Sequence, residues 1–228
     1  MKKLLFALPL MLVFFQACSQ KPGQTDATKK DTDVQRISDY IADKDYSKLE
    51  IATFAGGCFW CTEAAFERIN GVVDVISGYS GGKEDYPTYK EVGYGKTTHA
   101  EAIQIYFDPA VVSYETLLDV FWVAHNPTEL NRQGPDVGAQ YRSAVYFHNE
   151  AQEKASLAAI KKLDASDKYG KPAVTQVEAY TEFWTAEKYH QDFYELNPNQ
   201  GYVKAVSRLK VLKVMKEFAA ILKPKYKA

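Results

Sequence analysis

Residues 51–70 read IATFAGGCFWCTEAAFERIN, and their order decides the fold. The first five form a short apolar run that stops at Gly56-Gly57, the pattern of a buried strand entering a tight turn. From Cys58 to Ile69 the residues Ala64, Ala65, Phe66 and Ile69 recur at helical spacing, and Asn70-Gly71 supplies the left-handed stop of a helix. The stretch therefore predicts strand, turn and helix, with Cys58 and Cys61 where the helix begins.

Residues 72–79 are strand-like, and 78–94 are rich in Gly, Tyr and Pro, which predicts a long loop. Residues 100–107 make another strand, ended by Asp108-Pro109. Ser113 caps a helix over 114–124. A second long loop, 126–140, holds Pro127, Gly134, Pro135 and Gly138. Residues 141–147 and 174–180 read as strands around a helix that Asn149 caps and that runs to Ala165. A last helix spans 203–218, with Val206, Leu209, Leu212 and Met215 as its apolar stripe. The core order β-α-β-β-α-β is the ferredoxin-like signature, an α+β two-layer sandwich with C-terminal additions. No internal repeat is visible.

The composition fits one folded domain plus tails. The chain has 228 residues, 46% hydrophobic and 25% charged, with a net charge of −1. That excludes a wholly disordered, collagenous or polytopic membrane chain and argues against electrostatic capture of nucleic acid. Lys2 and Lys3 precede an apolar run over 4–15, too short to span a bilayer. The run ends in Phe15-Gln16-Ala17-Cys18, which resembles a bacterial lipoprotein signal. Residues 1–17 are then a signal peptide and Cys18 the lipidation site. The alternative is ordinary secretion with a free cysteine near the cut. Residues 18–48, rich in Lys and Asp with few large apolar residues until Ile37, read as a flexible tether whose Tyr40, Ile41 and Tyr46 are expected to pack only weakly against the folded domain of 49–228. The resulting expectation is a membrane-anchored lipoprotein facing the periplasm, with the outer membrane preferred because Ser19-Gln20 carries no acid.

Three features carry chemistry. Cys58 at a helix start can be stabilised as a thiolate by backbone N–H groups and the helix dipole, and Cys61 one turn on can form a disulfide with it. Structural zinc would need four ligands, and only these two cysteines lie in the domain. A thioredoxin-like dithiol exchanger shares the strand–CxxC–helix pattern, and a pair of inert buried thiols is a further alternative. Glu101 shares strand parity with Ile103, Ile105 and Phe107, so period two sets a carboxyl on an apolar face, where burial raises its pKa and makes it a proton donor. The alternative is a solvated residue at the strand start. Tyr79, Tyr86, Tyr89 and Tyr94 can wall a pocket and offer hydroxyls, and Tyr141 joins them by parity with Val145 and Phe147. His99, His125, His148 and His190 read as structural hydrogen-bonders. Lys204, Arg208, Lys210, Lys213 and Lys216 on the last helix form either a solvated face or a surface for anionic lipid or a partner.

Taken in order, Gly57-Cys58-Phe59-Trp60, Gly78-Tyr79-Ser80-Gly81-Gly82, Pro87-Thr88-Tyr89, His99-Ala100-Glu101-Ala102, Arg132-Gln133-Gly134-Pro135-Asp136, Gly138-Ala139-Gln140-Tyr141-Arg142-Ser143 and His190-Gln191 resemble the peptide methionine sulfoxide reductase A family. The resemblance runs from about Ile51 to Tyr202. It implies reduction of methionine S-sulfoxide, free or in proteins. Cys58 is then the nucleophile, Glu101 the acid on the sulfoxide oxygen with help from Tyr89 and Tyr141, Phe59 and Trp60 the wall for the S-methyl group, and Asp136 an ordering acid acting through water. Where some members carry a resolving cysteine near the C-terminus, this chain has Val203 and no later cysteine. The implied resolving thiol is Cys61, which forms a Cys58–Cys61 disulfide for a thioredoxin-like or other dithiol reductant to open. No metal or organic cofactor is implied, and a monomer is expected.

Overall fold

The computed structural model describes residues 33–227. Cys18 and the signal sequence lie outside the described residues. Six strands form one sheet: β1 (Glu50–Gly56), β2 (Val72–Ser80), β3 (Ala100–Phe107), β4 (Ser143–Phe147), β5 (Gln176–Ala179) and β6 (Phe183–Thr185). They are ordered β5-β4-β1-β3-β2-β6. The inner four strands give the expected ferredoxin-like core, in which β3 lies between β1 and β2 and runs antiparallel to both. β4 joins β1 antiparallel, β5 joins β4 parallel, and β6 joins β2 antiparallel.

Four longer helices accompany the sheet: α1 (Phe59–Glu67), α2 (Tyr114–Ala124), α3 (Glu150–Ala165) and α4 (Arg208–Glu217). Ser113 caps α2 by accepting the Thr116 N–H at 3.1 Å, and Asn149 caps α3 by accepting the Gln152 N–H at 3.0 Å. Phe54, Ile103 and Ile105 on one sheet face pack with Phe66, Leu117, Phe121 and Val214 in a single apolar cluster. Removing such side chains from water supplies the main driving force for this layer.

The opposite face is also covered, and this revises the expected tether. Ala102, Tyr106, Ala144, Tyr146 and Phe183 cluster there with Ile37, and Tyr40, Ile41, Tyr46 and Leu49 pack against them. The Tyr46 ring stacks on Tyr106 at 4.2 Å. Val34 is buried, and the Thr185 N–H donates to the Gln35 carbonyl at 2.8 Å. Residues 33–48 therefore belong to the folded body. A few apolar anchors outweigh a polar average, because the second face of the sheet would otherwise stand in water.

Other differences are local. The loop expected over 78–94 is strand up to Ser80 and contains a short helix, Tyr89–Gly93, nucleated by a Thr88/Glu91 capping box. Within the second loop, Arg132–Gln133 pairs with Asp136–Val137, and a 3₁₀ turn covers Ala139–Tyr141. Tyr141 thus precedes β4 rather than lying in it, so strand parity does not place it. The last helix opens with a π turn, Val203–Ser207, whose wider winding spaces the inward positions four apart. Val203, Ser207, Val211 and Val214 face inward, while Leu209 and Leu212 of the expected stripe are 65% and 48% exposed.

Candidate active site

The site is built on the turn between β1 and α1. Gly57 has φ +84°, and a Cβ there would stand 2.4 Å from Gln133 Cγ, so glycine is required. The Gln133 amide grips Asn126, donating to its carbonyl at 2.6 Å and accepting its N–H at 2.9 Å. That clasp closes the second long loop on itself, the Gln133 side chain lies against Gly57, and Asp136 of the same loop lines the cavity with Cys58.

Cys58 is the N-cap of α1, but its sulfur makes no capping bond. The Phe59 N–H, one of the backbone donors at the helix start, reaches Glu101 Oε2 at 3.1 Å. This overturns the simple dipole reading of Cys58. Burial pushes its thiol well up, reinforced by Cys61 and Glu101. The Cys61 thiol moves the other way, down to about 7, chiefly through the hydrogen bond from Cys58 and with help from Lys210 and Ser207. Burial makes Cys58 the weaker acid of the pair, and the Cys58 hydrogen bond makes Cys61 the stronger. Both cysteines are buried free thiols.

Glu101 faces the helix layer, as its parity predicts, and is 2% exposed. Burial pushes its carboxyl up to about 8, with Asp136 and Cys61 adding to the effect and the Phe59 N–H and Lys210 opposing it. At neutral pH it is protonated and able to donate. Cys58, Phe59, Trp60, Tyr89, Glu101, Asp136, Tyr141, Gln200 and Tyr202 surround one cavity of about 270 Å³. Burial keeps the Tyr89 and Tyr141 hydroxyls protonated, so both are donors.

The apolar wall is fixed by its neighbours. Trp60 stacks on Phe193 at 3.8 Å and donates Nε1–H to His190 Nδ1 at 3.0 Å. Tyr79, expected at the pocket, is instead buried in β2 and donates to Glu187 Oε2 at 2.8 Å, while Glu187 Oε1 accepts the Tyr89 N–H at 2.9 Å. Tyr79 therefore supports Tyr89 through that carboxylate. Tyr86 packs on Trp184, and Tyr94 is 72% exposed, so neither enters the site. The four histidines all make structural hydrogen bonds, as expected.

Sequence reading missed four residues here. Tyr202 donates its hydroxyl to Asp136, a direct partner where water was expected. Gln200 lines the cavity beside it. Ser207 Oγ lies 3.2 Å from Cys61 Sγ, and Lys210, read as part of a basic surface, has its Nζ shut off from solvent. The Gly201-Tyr202 pair ahead of the last helix was the available signal for the first. A small residue at an inward helical position was the signal for Ser207. Among the described residues there is no cluster of three or more His, Cys, Asp or Glu arranged for a metal ion.

A dithiol at a strand–helix turn, facing a protonated buried carboxyl across a small aromatic cavity, defines a thiol-based oxidoreductase. The model of the family described as peptide methionine sulfoxide reductase matches residues 50–221, and this chain belongs to that family. Similar proteins include peptide methionine sulfoxide reductase MsrA 1 of Rhodopirellula baltica, 52% identical over 76% of this chain and 90% of the relative. MsrA of Sulfolobus acidocaldarius is 51% identical over 75% and 96%. Among solved structures, reduced Mxr1 from Saccharomyces cerevisiae superposes with a TM-score of 0.62 at 37% identity, covering 68% of this chain and 90% of that one. Methionine sulfoxide reductase A of Corynebacterium diphtheriae gives 0.60 at 31%, covering 67% and 77%.

Proposed function

We propose that this chain reduces the S epimer of methionine sulfoxide, free or within proteins, by thiol chemistry at Cys58. The observation that carries the reading is one cavity in which Cys58 and a protonated Glu101 stand together beside the apolar wall of Phe59 and Trp60. A sulfoxide needs those three things at once: a nucleophile for sulfur, a proton for oxygen and an apolar seat for the methyl group.

Cys58 passes its proton to Cys61 and attacks the sulfoxide sulfur. Glu101 protonates the sulfoxide oxygen, which the Tyr89 and Tyr141 hydroxyls also hold. The oxygen moves to Cys58, methionine departs reduced by two electrons, and Cys58 stands oxidised by two as the sulfenic acid. Cys61 returns the proton to Glu101 and attacks Cys58. The S–S bond forms, the S–O bond breaks, and Glu101 releases the oxygen as water. A thioredoxin-like donor then opens the disulfide by exchange, with no metal or organic cofactor taking part. Asp136 and Tyr202 order the far side of the cavity.

The apolar run ending at Cys18 supports a lipid-anchored protein facing the periplasm, with the outer membrane preferred. The test offers a peptide carrying both sulfoxide epimers to the full chain with a chemical dithiol. Loss of the S epimer alone is expected. Cys58→Ser abolishes it, and Cys61→Ser stops after one turnover per molecule. Loss of neither epimer by folded, reduced protein would refute the reading and favour disulfide exchange on protein cysteines.

A further inference from the structure

The last helix delivers two polar side chains to the thiol pair. Ser207 is fully buried at the end of the π turn, with Oγ 3.2 Å from Cys61 Sγ. Lys210 follows three residues later, so it lies on the same side of the helix one turn on. Its Nζ is buried and has no hydrogen-bond partner among the described residues. A buried ammonium without a partner is strongly disfavoured unless an anion stands nearby. Lys210 acts electrostatically on Cys58, Cys61, Glu101 and His125. Glu101 is held neutral, and His125 is kept uncharged by burial, with its ring nitrogens bonded to the Phe121 carbonyl and Ser143. Of the groups around Cys61, Cys58 is the proton donor to it, Asp136 opposes its ionisation, and Tyr202 stays protonated. Among the four groups on which Lys210 acts, the one left to carry a negative charge beside the buried cation is a cysteine sulfur.

We propose that Ser207 and Lys210 are positioning residues that hold Cys61 as a thiolate, so that the helix N-terminal dithiol has its counter-ion supplied from the far end of the chain. The inference rests on the reductase reading and adds to it a reason why Cys61 serves as the resolving sulfur. A thiolate at Cys61 takes the Cys58 proton before the first attack. It is also the nucleophile that closes the disulfide once that proton has gone to Glu101. When a donor thiolate later attacks Cys58, Cys61 departs as an anion that the Ser207 hydroxyl and Lys210 ammonium receive. No oxidant or reductant beyond the sulfoxide and the dithiol donor is required.

The test begins with the full chain carrying Cys18→Ser and Cys58→Ser, which leaves Cys61 as its one thiol. Ultraviolet thiolate absorbance is followed against pH. Cys61 is expected to titrate below the ordinary ~8.5 of a free thiol. Adding Lys210→Met raises the midpoint by about one pH unit, while Lys210→Arg keeps it low. Coinciding midpoints for the parent and a folded Lys210→Met variant would overturn the proposal. If Lys210→Met does not fold, Ser207→Ala carries the same test, and an unmoved midpoint has the same meaning. In chains retaining both thiols, one equivalent of sulfoxide is added and disulfide closure is timed. Lys210→Met is expected to slow closure about tenfold near pH 6.5 and much less near pH 9, because below its midpoint a thiol that titrates about one pH unit higher holds about tenfold less thiolate. Equal slowing at every pH would mark a merely structural role and also overturn the proposal. The titration uses no sulfoxide, so its failure leaves the reductase reading intact. Failure of sulfoxide reduction, in turn, leaves the titration interpretable.

Discussion

Replacing Glu101 by glutamine should make the protein more stable and the enzyme slower, by amounts the site sets. The carboxyl ordinarily titrates at 4.5 and is pushed up to about 8 by burial. Between those values it is ionised in the unfolded chain and neutral in the fold. A raised folded-state value contributes stability that is fully present below 4.5 and is lost as pH rises towards 8. The loss is about 1.4 kcal/mol per pH unit, which at pH 7 amounts to roughly 3 kcal/mol. Glutamine never ionises, keeps an oxygen to accept the Phe59 N–H, and has nearly the same volume. Urea unfolding of the wild type and Glu101→Gln from pH 5 to pH 8 should therefore diverge steadily, with the variant ahead. Glutamine cannot hand over a proton, so the first sulfoxide turnover should fall by about 10²- to 10⁴-fold. The wild-type rate should itself decline as pH rises through about 8. Parallel stability curves, or an undiminished first turnover, would refute the assignment of Glu101 as the buried acid.

Gly57→Ala should cost about 1–3 kcal/mol in thermal unfolding, because its backbone is left-handed and the new methyl group meets Gln133. Tyr202→Phe removes the donor to Asp136 but leaves the ring against Trp60. It should lower kcat/KM for a sulfoxide peptide by about one decade, the worth of one hydrogen bond to a carboxylate, with little change in Tm. Tyr46→Ala uncovers Tyr106 and should destabilise the fold by roughly 2–4 kcal/mol while sparing first-turnover chemistry, measured by denaturation and rapid-quench assays.

The core was legible wherever local signals agreed. Ser113 and Asn149 announced their helices through the bonds they make, and the alternation in β3 correctly turned Glu101 inward. The failures have physical causes. β6 is three residues long, too short for an alternation to register. Tyr141 reaches the cavity from a 3₁₀ turn that no periodicity describes. The π turn displaced the inward stripe of the last helix, which hid Ser207 and made Lys210 look like surface. Composition made residues 33–48 look like a tether, since a mean over many polar residues conceals anchors such as Val34 and Ile37. At the turn that holds Cys58, one backbone donor of the helix start is bound by Glu101, a contact 42 residues away in sequence that only the fold creates.

The segment that crosses the second face also settles how the sheet ends. β6 is the outermost strand on its side, and an outermost strand offers unpaired amides to any passing extended chain. Arg36 forms an antiparallel bridge to Trp184, and Gln35 accepts the Thr185 N–H from the same direction. The protein thus terminates its own hydrogen-bond ladder with its own N-terminal residues. A shortened version beginning after Tyr46 would have an open border, and its characteristic failure would be strand-to-strand assembly between molecules, visible as concentration-dependent aggregates rather than as lost chemistry at the thiols.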